Sequence, residues 1–62
     1  MQPDLTAKEV DYISDLMSLE ESVSKKARYY SQTLTDPKIS KKMKETADKH
    51  AKRFESLLSL LG

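Results

Sequence analysis

Apolar residues in the first half of the chain fall at Val10, Ile13, Leu16, Met17, Val23, Ala27, Tyr30 and Leu34, the three-and-four spacing of one helical face. The second half repeats the pattern with Ile39, Met43, Ala47, Phe54, Leu57, Leu58 and Leu61. No segment shows the period-two alternation of a half-buried strand, so the pattern predicts helices alone. The first helix has a legible start. Thr6-Ala7-Lys8-Glu9 is a capping box, in which the Thr6 hydroxyl accepts the Glu9 N–H and the Glu9 carboxylate accepts the Thr6 N–H. Leu5 and Val10 on either side have the spacing of a hydrophobic staple. The stop is equally clear. In Leu34-Thr35-Asp36-Pro37 the proline drives the residue before it out of the α region, and Asp36 then caps a new helix with Pro37 at its first position. The expectation is one all-α helical-hairpin domain over residues 1–62, with a helix over about 7–34, a turn at 35–36 and a helix over about 37–61.

So short a connection makes the helices antiparallel. Each is roughly 24 to 28 residues long, or ~36–42 Å at 1.5 Å per residue. Two such helices touch along one seam and leave the flanks of their apolar stripes in water. The length sharpens the problem. At 62 residues with no cysteine, the chain is short of core and has no disulfide or thiolate site to compensate. The remaining aids are self-association and a metal held by His and carboxylates. A second copy is the simplest cover for an apolar flank, and it makes a homodimeric four-helix bundle.

Charge indicates how the copies dock. Residues 1–22 carry Lys8 against six carboxylates, whereas residues 23–62 carry ten Lys or Arg against four. The turn end is basic, through Lys25, Lys26, Arg28, Lys38, Lys41, Lys42 and Lys44, and the end near the amino terminus is acidic. Setting the turn of one copy beside the termini of the other brings opposite signs together, so the expected dimer is antiparallel. The net charge of +1 gives no general reason to invoke nucleic acid. No stretch approaches the ~20 apolar residues of a membrane span, and Met1-Gln2-Pro3-Asp4 lacks the layout of a secretory signal. A soluble chain not exported by that route is expected, and the absence of cysteine fits a reducing compartment.

Two polar residues stand within the apolar stripes: Glu20, and His50, the one histidine of the chain. In a hairpin turning near 35 and 36, residues at one height have numbers summing to about 70 or 71. Glu20 then faces His50, Val23 faces Ala47, Ala27 faces Met43, Leu16 faces Phe54 and Ile13 faces Leu57. The acid and the imidazole meet halfway along the bundle, and a twofold dimer brings two copies of the pair together. Two readings stand. The pair is an internal hydrogen bond or ion pair that sets the register of the bundle. Alternatively, Glu20 and His50 are metal ligands, since inward carboxylates and imidazoles in four-helix bundles hold di-metal centres.

Taken together, Leu5-Thr6-Ala7-Lys8-Glu9, Glu20 in mid-helix, the Thr35-Asp36-Pro37 turn, and Ala47-Asp48-Lys49-His50 leading to Leu57-Leu58-Ser59-Leu60-Leu61 resemble one half of a ferritin-like bundle. More narrowly, they are similar to the spore coat F-type family of endospore-forming bacteria, over about Leu5 to Leu61. The resemblance implies a ferritin-like fold in a sporulation-linked structural protein, located inside the cell, in the cytoplasm, forespore or spore coat, with other coat proteins as partners. A ferritin-like di-iron half-site also needs Glu-x-x-His on the second helix, where this chain has Ala47 three residues before His50. A dimer presents two Glu and two His instead of the usual six ligands. That departure argues against di-iron chemistry and leaves a zinc or iron site of four ligands as the cofactor alternative.

Other chemistry is thinner. Ser14, Ser18, Ser22, Ser24 and Ser31 line the first helix, but a serine nucleophile needs a positioned base and an oxyanion hole. These serines are expected on a solvated face, with a packing surface as the alternative. Of the adjacent Tyr29 and Tyr30, Tyr30 is expected in the core and Tyr29 at the surface or against another protein. A basic second helix, with Lys38, Lys41, Lys42, Lys44, Lys49, Lys52 and Arg53, gives a further alternative, an RNA-binding hairpin dimer. Glu45, Asp48 and Glu55 interrupt that charge, and no exposed aromatic interleaves with the lysines to stack bases. The favoured expectation is a non-enzymatic structural or interaction protein acting as a homodimer.

Overall fold

In the computed structural model, which describes residues 5–62, the chain forms two helices, α1 (Ala7–Thr33) and α2 (Pro37–Leu61), packed against each other as a hairpin. There is no strand among the described residues. Met1-Gln2-Pro3-Asp4, on which the reading of export rests, lies outside them.

Both helix starts follow from local chemistry. Thr6 is extended (φ −77°, ψ 162°), its hydroxyl accepts the Glu9 N–H at 3.1 Å, and Glu9 accepts the Thr6 N–H at 3.1 Å. Those bonds satisfy donors that the first turn cannot satisfy internally. Asp36 (φ −72°, ψ 119°) caps α2, and one of its carboxylate oxygens accepts from Lys38 N–H at 2.9 Å and Ile39 N–H at 3.2 Å. Between the caps the chain reverses over residues 34 to 36. Helix α1 stops at Thr33 rather than running through Leu34. Leu34 is already extended (φ −73°, ψ 135°), although its N–H still donates to the Tyr30 carbonyl at 2.9 Å. Leu34 thus completes the last helical hydrogen bond of α1 while its own backbone has already left the helix.

The seam is narrow. Among the described residues only Ile13, Ala27 and Ala47 are buried, and Ala47 alone is fully so, at 0 % exposure. Near the turn small side chains of the seam alternate with larger ones: Ser24, Ser31 and Ser40 are half-buried along with Val23 and Met43, around the buried Ala27 and Ala47. The Ser40 hydroxyl crosses it to donate to the Ser31 carbonyl. Toward the open end larger residues take over: Val10, Met17, Phe54 and Leu57 are all half-buried. The serines expected on a solvated face thus include two at the seam. Tyr30, expected in the core, is 49 % exposed. Ala27 and Ser31 occupy the line of closest approach, and a ring at position 30 is displaced to the flank.

The accessible surface is 4919 Å². A compact monomer of 7.1 kDa exposes about 4100 Å² by the usual scaling of area with mass. The Cα trace extends 47 × 14 × 10 Å, a rod two helices wide and one helix thick.

Candidate functional site

The hairpin has two broad faces. On α1, Tyr12, Leu16, Leu19, Val23, Tyr30 and Leu34 follow one another at helical spacing along the same flank of the seam. On α2, Ile39, Thr46, Arg53, Leu57 and Leu60 do the same. A shallow groove of about 270 Å³ lined by Leu16, Glu20, Arg53, Ser56 and Leu57 shows that these flanks lie on one side of the molecule. Seven of the nine large apolar residues that are exposed belong to this side; Tyr29 and Leu58 do not.

Glu20 and His50 meet at mid-length. Glu20 Oε2 and His50 Nδ1 are in direct contact, with the side chains 17 % and 22 % exposed. The level predicted for them from the turn position is the level at which they sit. Each helix contributes one half-buried polar group, and each has the other as its hydrogen-bond partner in compensation for lost water. No group of three or more His, Cys, Asp or Glu side chains able to hold a metal occurs among the described residues. One chain therefore offers two donors, and Arg53 lines the same groove as Glu20.

The opposite face is polar. Arg28 crosses from α1 to donate to Asp48 Oδ1 on α2 at 3.0 Å, and Lys25 pairs with Glu21 at 2.7 Å. Two adjoining grooves, about 260 and 560 Å³, share Arg28 and Gln32; Lys25 and Tyr29 line the first, Lys41 and Lys44 the second. Tyr29 is exposed here with its ring edge-on to that of Tyr30, 5.9 Å between centroids. An aromatic does therefore stand beside the basic groove. Two of the four cations there are already engaged by carboxylates, which weakens the face as a polyanion surface.

The sequence reading missed the Arg28–Asp48 pair. Both residues lie off the apolar stripe, and only the rotation of each helix about its axis brings them to one flank. The small residues of the seam, Ala27, Ser31, Ser40 and Ala47, were the available signal, because they mark the line of closest approach.

No family model, curated protein or solved structure matches this chain. Among the described residues no helix is long and apolar enough to cross a membrane.

Proposed function

We propose that the chain is a non-enzymatic structural protein that works as a homodimeric four-helix bundle and serves as a building unit of a larger protein layer, as in a spore coat. The observation that carries the dimer is the exposed apolar face. Seven large apolar residues share one side of the rod, a contiguous stripe of the kind that marks a partner surface. The coat-like role rests on the resemblance in the capping box, mid-helix Glu20, the turn and the Ala47–His50 segment. The structural role draws support from Glu20 and His50, which are spent on each other.

A second reading, a metal-binding bundle, is favoured by the position of that pair. Two copies meeting at mid-length bring together two carboxylates and two imidazoles, donors that suit zinc. The Arg53 guanidinium in the same groove opposes a cation there. The RNA-binding reading has less support, given the paired cations of the polar face.

Sedimentation and circular dichroism over a dilution series test the dimer, with native mass spectrometry and elemental analysis on untagged protein. The expected result is a metal-free dimer that loses helicity on dilution. A stable helical monomer overturns the dimer. Stoichiometric metal that is lost with His50→Ala moves the conclusion to the second reading.

A further inference from the structure

The dimer reading leaves open which way the second copy lies and what becomes of the polar pair once it is covered. Glu20 is the central residue of α1 (Ala7–Thr33), and His50 is one residue from the centre of α2 (Pro37–Leu61). A twofold axis perpendicular to the rod maps its midpoint onto itself, so in such a dimer two Glu20–His50 pairs face each other. Two carboxylates brought together in an apolar interface need cations close by, since an uncompensated buried charge is strongly unfavourable. On this face the cation at that level is Arg53. It lines the groove with Glu20 and forms no ion pair among the described residues.

We propose, resting on the dimer reading above, that a second copy docks antiparallel on the apolar face with the twofold axis at the Glu20–His50 level, and that Arg53 of each copy reaches Glu20 of the other. The polar cluster is then complete only in the dimer. Within each copy His50 Nδ1 pairs with one Glu20 oxygen, and the guanidinium of the other copy donates to the second. Arg53 lies one helical turn from His50, about 4.5 Å along the axis, a span an arginine side chain covers. The cluster then sets two guanidiniums against two carboxylates.

The charge along the rod sets the direction. The turn half, residues 21–49, carries eight Lys or Arg against four carboxylates. The remaining residues carry three against six. An antiparallel dimer lays the positive half of each copy beside the negative half of the other, whereas a parallel one stacks like on like. A second copy is therefore an occupant whose charge pattern complements that of the rod taken end to end.

The chain has no cysteine, so Thr35→Cys in the turn gives a single site for a spin label. Pulsed dipolar spectroscopy on the labelled protein is expected to give a separation of about 40 Å, the length of the 27-residue α1 at 1.5 Å per residue. A separation below about 20 Å, the scale of side-by-side helix packing, overturns the antiparallel arrangement while leaving a dimer. An absence of intermolecular coupling at concentrations where the wild-type chain is helical overturns the dimer itself. In parallel, Arg53→Glu is expected to weaken dimerisation at least tenfold while helicity at saturating concentration is retained. An unchanged dissociation constant overturns the role of Arg53.

Discussion

The Glu20–His50 pair makes a sharp energetic prediction. His50→Leu strands a carboxylate that is 17 % exposed; Glu20→Leu strands an imidazole that is 22 % exposed. Leaving a buried polar group without its partner costs about 1–3 kcal/mol, and the residual exposure of both groups pulls the figure to about 1–2 kcal/mol. The stranded carboxylate is the harder to desolvate, so His50→Leu is the worse single change. With all four proteins carrying Arg53→Leu, so that no guanidinium is left facing the lost carboxylate, the double replacement strands nothing and puts two leucines on an apolar face, and its stability is expected to equal or exceed that of the Arg53→Leu parent. The coupling between the two sites, equal in size to the sum of the two single losses, is then ~2–4 kcal/mol, at the upper end of the range for residues in contact. For a domain of this size each kcal/mol shifts the melting midpoint by about 4–8 °C. Thermal melts of the four proteins at one fixed chain concentration measure this, the concentration being fixed because association raises the midpoint by mass action. A double mutant less stable than both single mutants would falsify the idea that the pair exists to satisfy itself.

Three further perturbations read other parts of the hairpin. Ala47→Leu adds three carbons at the one fully buried position and is expected to lower stability by about 1–3 kcal/mol through overpacking; denaturant titration checks this, and no loss means the seam has slack. Asp36→Ala removes an acceptor serving two N–H groups and is expected to cost about 1 kcal/mol in the same assay, whereas a neutral result shows that Pro37 alone sets the start of α2. Glu9 accepts the Thr6 N–H and lies against the Thr6 hydroxyl, which together hold its carboxyl below the ordinary glutamate value. Its stabilisation is present above that ordinary value and is lost as pH falls through the lowered one. Helicity measured against pH should therefore lose part of its acid limb in Glu9→Gln, and superimposable curves refute the assignment.

What could be read from the sequence was what local rules decide. The Thr6–Glu9 box and the Asp36–Pro37 start are contacts within four residues, so spacing alone specifies them. The Glu20–His50 contact spans thirty residues, yet it was legible too, because a three-residue turn leaves one register between two straight helices. The orientation of each helix about its own axis was not legible. Periodicity identifies an apolar stripe but not which edge of it meets the neighbour. That choice was made by side-chain size at Ala27, Ser31, Ser40 and Ala47, and it moved Tyr30 outward, drew Ser24 and Ser31 inward, and brought Arg28 to Asp48.

The pairing of sizes across the seam has a consequence for register. By level, the fully buried Ala47 lies against half-buried Val23, and the buried Ala27 against half-buried Met43. Each small residue of one helix is thus matched by a larger one of the other. Sliding one helix past the other by a turn sets Met43 against Val23 in one direction and Ala47 against Ala27 in the other, a clash or a void. The two helices are thereby locked lengthwise like the teeth of a rack, without any bond crossing at those positions.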